Sequence, residues 1–534
     1  MRSRWERYWF ADGGRLASAV VRITIASAVL LTLVRLDNPV STGDVPGEHT
    51  LYRPVGIWML LGHTPPPQFL VGALWIVAWT STAAMLVGLA SRAATAASFV
   101  SGVALASLAF ASSARWSHQY NVVFVAQLAF LGARGGDALS IDAWLRHLRG
   151  LPAIDRARAY QWSLRLVQLA VALMFVCAAF HKVLHGHFTL RWALSDNLRH
   201  QLLVRFDLAG LPRPPVADWL IDDPWRYRTA ALLNLVSQTM PIFACVFVRH
   251  PIIRAACGAF FVIETIALGF VVDLWNLHWL PLYAVFVDWD RVFRRKEVRD
   301  EPPPTWRPPR AARVFVIAFV VYDLLVCLVP GLDQLLDTYP FSAFPMFATV
   351  LANPPYDEHQ PFTLTGDHYE VISKPPIDVS AQRWFDHANR GVHAMRDPDT
   401  VHARLAATLA NAQRRYPTIA FETIRVYETL FVAAPYPEPA ALEPHPIAIV
   451  GELDADGTYR TLLGSFDDHH VELRPNHVDV TGARLAYYRD DVLAPIAIEP
   501  VLAAPLGGDP IYVVATTRDG RPWLVASHAA WRWR

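Results

Sequence analysis

Charge is what this chain has least of. Asp, Glu, Lys and Arg make up 18% of its 534 residues and hydrophobic types 53%, a balance too apolar for a water-soluble protein of this length. The formal net charge is +1, which excludes a global field of the kind that draws nucleic acid or a strongly acidic partner. Cysteine is equally scarce. The four, Cys177, Cys245, Cys257 and Cys327, lie in apolar runs without CxxC or Cys/His spacing, so no metal site is expected and they read as small core residues. No cysteine follows Cys327, so the C-terminal region must be held by its core. A Gly-rich phosphate loop, H-E-x-x-H, G-x-S-x-G and any fixed-period repeat are missing too. Their absence removes the nucleotide, zinc-protease, serine-hydrolase and solenoid classes that such motifs mark.

What is present is a succession of long apolar segments. On a ruler of roughly 20 residues per crossing, about nine candidate spans are read, at 16–34, 68–89, 93–113, 119–133, 161–183, 228–248, 252–272, 276–289 and 312–331. The fourth and eighth are short, which suits tilted, buried or re-entrant segments. The first lacks a small-residue cleavage site and reads as a retained span. The expected fold is a polytopic α-helical membrane bundle of about nine spans over residues 10–335, followed by a small α+β extracytoplasmic domain over 336–534. In that second part, 361–365 and 369–372 alternate like strands, 379–390 and 397–415 have helical periodicity, and Asp456-Gly457 and Asp519-Gly520 signal turns between further short strands.

Arginine and lysine set the orientation. Arg2, Arg4 and Arg7 precede the first span, Arg92 lies in the second connection, and Arg146, Arg149, Arg156 and Arg158 crowd the fourth. Arg249 and Arg254 flank the sixth, and eight more basic residues fall between Arg291 and Arg313. With nine spans all these loops share one side, so a multi-pass protein of the cell membrane is expected, with a cytoplasmic N-terminus and an outer C-terminal domain. The longer loops, 35–67 and 184–227, are then outside. The first holds Leu51 to Leu61, expected as an interfacial helix anchored by Tyr52 and Trp58. The second holds an amphipathic stretch from Leu190 to Phe206.

Ionisable groups inside spans are costly and mark either structural pairs or sites. Here they are Arg22, His118, His181, Lys182, Glu264, Asp273 and Asp323. Lys182 closes the apolar run Leu166 to Phe180 near the outer boundary. It is read either as a snorkelling lysine or as a desolvated amine able to act as a general base. His118 falls at the same depth, either as an interfacial hydrogen-bonder or as a partner of that base. Arg22 is expected to pair with Asp273 or Asp323. The tryptophans, among them Trp75, Trp79 and Trp275, read mostly as belt or packing residues. His469-His470 lacks a third ligand and reads as a solvated pair.

Several of these segments resemble one family. Phe180-His-Lys-Val-Leu184, followed by Trp192 and then Asp196-Asn-Leu-Arg-His200, resembles the lysine-bearing segment of the vitamin K-dependent gamma-glutamyl carboxylases. Trp116 to Phe130 is similar to their histidine-bearing segment, and Gly88 to Arg92 and Tyr339 to Met346 extend the likeness over residues 10–347. Their shared membrane region is the HTTM (horizontally transferred transmembrane) domain. The resemblance implies that Lys182 is a base acting on vitamin K hydroquinone or another lipid quinone, and that His118 helps to stabilise the carbanion that develops on the glutamate substrate. It sets Trp116, Tyr120, Asn121, Trp192 and Glu264 at the substrate, with the quinone entering from the bilayer and a dry pocket protecting the chemistry. The enzyme implied is carboxylase-like, or a quinone-dependent lyase or oxidoreductase.

The departures are as specific. The family has a lysine pair where this chain has His181-Lys182, a histidine of a later span falls near Glu264, and the lumenal domain has no match in 348–534. A different class stays open: a non-catalytic membrane protein that binds lipid, or anchors the outer α+β domain for a protein or peptide partner. A transporter is disfavoured because no paired broken helices or inverted repeat can be read.

Overall fold

A computed structural model describes residues 4–36, 54–61, 66–113, 118–154, 159–206, 212–293, 308–335, 338–344, 347–348 and 350. Beyond these it describes 362–374, most of 401–413, 418–433, 445–461, 464–466, 471–473, 480–489, 492–496, 511–517 and 519–528. The chain divides into two compact units. One is formed by Met1–Gly47, Tyr52–Leu198 and Pro214–Val350, the other by Glu48–Leu51, Arg199–Arg213 and Leu351–Arg534. The segment Tyr339 to Ala348 thus belongs to the first unit, about fifteen residues beyond the boundary read from composition.

The first unit is helical. In chain order its helices are α1 (Arg4–Trp9), α2 (Arg15–Arg35), α3 (Gln68–Val87), α4 (Ser91–Ser113), α5 (Asn121–Phe130), α6 (Ile141–Leu148), α7 (Gln161–His185) and α8 (Arg191–Leu194). α9 (Asn197–Phe206) follows, most of it within the second unit, and the first unit resumes with α10 (Pro215–Ile221), α11 (Pro224–Thr239), α12 (Ile242–Val246), α13 (Pro251–Val272), α14 (Trp289–Val292), α15 (Arg310–Leu328) and α16 (Leu332–Leu335). Among the described residues, seven segments are long and apolar enough to cross a membrane: α2, α3, α4, α7, α11 with α12, α13 and α15. The chain is therefore a membrane protein by length and composition of its helices. α7 is the axis, with 83% of its most apolar window buried, against 28% for α3 and α15. The outer helices instead expose Phe69, Ile76, Val314 and Ile317, as lipid-facing surfaces require.

The two short candidates, 119–133 and 276–289, are buried elements, α5 and a 3-10 segment, Leu277–Phe286. Contacts fix where the ends of the latter lie. His278 and Trp279 both donate to Gln119 O, at 2.9 and 2.6 Å, and Arg35, at the end of α2, donates to Trp275 O. After the segment, Asp288 pairs with Arg254 at 3.0 Å and Asp290 accepts from Gly14 N at 3.1 Å, joining the starts of α13 and α2. The predicted span 228–248 is broken where Pro241 interrupts the ladder between α11 and α12.

Several expectations are corrected. Arg22 pairs with neither Asp273 nor Asp323: its guanidinium donates to Gly135 O at 2.8 Å, Leu139 O at 2.6 Å and Leu86 O at 3.4 Å. Carbonyls meet both terminal nitrogens of the guanidinium fork. α3 ends beside it at Gly88, φ +72°, where a Cβ would lie 2.4 Å from Arg22 Nη1, so only glycine fits. Trp58 is not an interfacial anchor. It is buried in the 3-10 turn Gly56–Leu61 and donates to Ala104 O of α4 at 2.8 Å. Tyr52, the basic run 294–307, the helical reading of 379–390 and His469-His470 lie outside the described residues.

The second unit carries β1 (Phe362–Lys374), β2 (Ala420–Ala433), β3 (His445–Asp454), β4 (Tyr459–Thr461), β5 (Gly464–Phe466), β6 (Val471–Leu473), β7 (Val480–Arg489), β8 (Val492–Ile496), β9 (Ile511–Thr517) and β10 (Pro522–His528). The main sheet runs β1-β2-β3-β10-β9-β7-β8, with β4 on β3. Val401, Leu405 and Leu409, four residues apart, give 401–413 one buried helical face. Val401 and Leu405 meet β3 at Gly451, where an added Cβ would lie 2.8 Å from Val401.

In this unit one buried carboxylate gathers three arginines. Register sets Arg425 opposite Glu452 and Glu452 opposite Arg460. Glu452 binds Arg425, Arg460 at 2.7 Å and Arg521 at 2.9 Å. Burial alone raises the Glu452 carboxyl, but Arg425 and then Arg521 outweigh it and hold its pKa below the ordinary 4.5. A depressed carboxyl contributes stability above its unfolded pKa and loses it as pH falls through the folded value. Thermal unfolding of the purified full chain should show a sheet transition that weakens below about pH 4.5. Glu452→Gln should lower that transition at neutral pH by about 3 kcal/mol and flatten its acid dependence; an unchanged acid profile would contradict the assignment.

Candidate functional site

Lys182 sits three residues before the end of α7 and is 2% exposed, so it does not snorkel. Its amine donates to Asn234 Oδ1 at 2.5 Å and Gln238 Oε1 at 2.9 Å, and lies 4.3 Å from the centroid of the Trp192 ring. Trp192, on α8, is fixed by its own donation to Phe347 O at 2.7 Å. An ammonium has three donors and no acceptor. Two amide oxygens and one aromatic face satisfy all three.

The far sides of the same amides hold Glu264, on α13. Asn234 Nδ2 donates to its Oε1, Gln238 Nε2 donates to Oε1 at 3.0 Å, and Ser237 Oγ donates to Oε2 at 2.6 Å. Lysine can only donate and a carboxylate only accept, so the amide orientations are forced. The result is an amine and a carboxylate bridged by two side-chain amides. α11 supplies the bridge because Asn234, Ser237 and Gln238 are spaced i, i+3, i+4 and share a helix face. Beside them on the same helices Leu233, Val236 and Ile263 are exposed, so the cluster lies close to the apolar outer surface of the bundle. Asn234 and Ser237 are only partly buried.

His118 belongs to a different cluster. Its Nδ1 is 2.6 Å from Ser342 Oγ, and its ring lies 6.4 Å from that of Phe344. Asn121 donates to Pro340 O at 2.7 Å, and Tyr120 stacks on Phe110 at 6.0 Å. The two groups meet across α7: His181 Nε2 donates to Cys327 O at 3.1 Å, and Cys327 Sγ approaches Ser342 O at 3.8 Å. Of the residues selected from sequence, Lys182, Trp192 and Glu264 are brought together, His118, Tyr120 and Asn121 form the second group, and Trp116 lies outside the described residues.

Asn234, Ser237 and Gln238 were missed, because neutral amides do not stand out in a hydropathy profile. Their common helix face was the available signal. Asp196, within the quoted Asp196 to His200 segment, accepts from Tyr227 at 2.6 Å and Arg228 at 2.9 Å and joins α11 to the loop before α9. Among the described residues, no group of three or more His, Cys, Asp or Glu is arranged to hold a metal ion. Comparison with known protein families, curated proteins and solved structures finds no match for this chain.

Gln238 touches both charges, so Gln238→Leu leaves each one bond short in a medium without water. Its equilibrium stability in detergent should fall by about 2–3 kcal/mol, whereas Thr239→Leu, one residue on and exposed, should change it little. Equal effects of the two substitutions would remove the bridge from the account.

Proposed function

We propose that this chain is an HTTM-type membrane protein, similar to the membrane domain of the vitamin K-dependent carboxylases, in which Lys182 is the base of a lipid-quinone site. The observation that carries the reading is that Lys182 is held inside the bundle, close to its apolar outer surface, with Glu264 across two amides. The chemistry of the residues fits a quinol: an amine to take a hydroxyl proton, an aromatic face in Trp192, and an apolar approach past Leu233 and Ile263. A reduced lipid quinone would supply the reducing equivalents for reaction with oxygen. Lys182, with its amine neutral, would take a proton from such a hydroxyl, and the ammonium so formed is the species that Asn234, Gln238 and Trp192 are placed to stabilise, its charge balanced by Glu264. His118, held by Ser342, acts from the neighbouring cluster, joined through Cys327 and His181.

The orientation belongs to the same proposal. The N-terminus is cytoplasmic, the second unit is extracytoplasmic, and the chain makes about nine traverses, α5 and Leu277–Phe286 being the short ones. The pairing of Arg254 with Asp288 and of Gly14 with Asp290 supports this count, because it returns the chain after Leu277–Phe286 to the end where α2 and α13 start. The rival reading, a non-catalytic lipid-binding or anchoring protein, is supported by the full satisfaction of the Lys182 amine, which a purely structural clamp would also have.

Lys182→Arg separates the two. Arginine keeps the cation and its donors but does not give up its proton at working pH. Protein in lipid vesicles, given vitamin K hydroquinone, menaquinol or ubiquinol with oxygen and labelled bicarbonate, should show quinol oxidation or carbon dioxide incorporation. In Lys182→Arg turnover should fall by about a hundredfold or more, with thermal stability near that of wild type. Wild-type turnover in the arginine variant, or none by wild type with any quinol, would sink the proposal.

A further inference from the structure

A cavity of about 590 Å³ opens at the end of the first unit where α2, α4 and α7 begin. With 21 residues of α7 between Gln161 and Lys182, it lies about 30 Å of helix from the Lys182 cluster. Its size suits a small polar ligand or a headgroup. Five arginines line it, Arg15, Arg92, Arg134, Arg146 and Arg149, against two carboxylates, Asp137 and Asp142.

Both carboxylates are already committed. Asp142 accepts from Ala90 N, Ser91 N and Ser91 Oγ, each at 2.8 Å, and so caps α4 across space. Its own amide donates to Gly88 O at 3.0 Å. Asp137 accepts from Tyr160 at 2.9 Å and pairs with Arg134 at 3.6 Å. Arg146 spends its Nε on Pro152 O at 2.8 Å and keeps its terminal nitrogens. The side chains of Arg92 and Arg149 make no hydrogen bond or ion pair among the described residues. The wall is thus rigid, and an excess of positive charge faces its interior.

The second feature is α6, which forms part of that wall. Asp142, Arg146 and Arg149 fall on one side of it, while Trp144 and Leu148 are 59% and 62% exposed. Leu139 and Leu151, at either end, are also exposed. A short helix with cations on one face and an uncovered tryptophan and leucine on the other lies in a membrane interface. Anionic oxygens in the cavity and acyl chains against Trp144 and Leu148 would satisfy both faces at once. We infer that this cavity binds a phosphate anion, presented as the headgroup of an anionic phospholipid. The site is separate from the quinone reading and does not depend on it.

The test titrates the purified full chain in neutral detergent with dioctanoyl phosphatidylglycerol, dioctanoyl phosphatidylcholine and glycerol 3-phosphate, by calorimetry. Phosphatidylglycerol should bind and phosphatidylcholine should not. Arg92→Gln with Arg149→Gln should weaken binding about thirtyfold, at about fivefold per arginine near a membrane surface. Arg149→Gln alone, at an exposed site where folding is not at stake, should weaken it about fivefold. Glycerol 3-phosphate binding as tightly as the lipid would assign the same phosphate site to a soluble ligand. Equal binding of the two lipids, no binding of either anion, or full affinity in both variants would overturn the inference.

Discussion

A charge inside an apolar bundle has no water to fall back on, and the first unit is arranged around that constraint. Lys182 and Glu264 are the clearest case. They do not touch; Asn234 and Gln238 stand between them, each turning its oxygen to the ammonium and its nitrogen to the carboxylate. This arrangement ties α7, α11 and α13 to one another at a chosen depth. It also holds α8 in place, because the Trp192 ring covers the amine and its indole N–H anchors Phe347 O. A direct ion pair would join two helices; an amide-bridged one joins three and gives the lysine amine two amide oxygens and a ring face.

The same logic recurs with other partners. Arg22 is held by neither Asp273 nor Asp323; its fork holds the carbonyls of Gly135, Leu139 and Leu86, so the loop after α5 and the end of α3 are fixed to α2. That loop carries Asp137 and leads into α6, whose Asp142 caps α4. The two ends of the unit are thereby built differently. One is a wall of arginines around a cavity; the other is a set of nearly neutral contacts among His118, Ser342, His181 and Cys327 beside the lysine. In the second unit a buried charge is solved by excess instead, with Glu452 held by three arginines.

Much of this was legible in the sequence because hydropathy contrast is strong in membrane helices. Lys182 and Glu264 stood out against apolar runs, and seven long helices follow the predicted spans closely. What was not legible is lateral position. Depth along a helix can be counted at about 1.5 Å per residue, but depth alone put His118 beside Lys182, and the fold sets it against Ser342 instead. Asn234 and Gln238 carry no charge and so made no mark. The arginines around Glu452 come from β2, β4 and the turn before β10, and only strand register brings them together. Composition likewise closed the membrane part too early, because Tyr339 to Ala348 folds back onto the first unit through Asn121 and Trp192.

The central claim is that Lys182 and Glu264 are one coupled unit although no bond joins them. A double-mutant cycle with Lys182→Met, Glu264→Gln and both together, read as stability in one detergent, measures this coupling. Each single change strands the opposite charge, so the account predicts a coupling of about 1 kcal/mol or more, with the double variant less destabilised than the sum of the singles. Additive effects would mean that the two charges are satisfied independently and that the bridge does not exist.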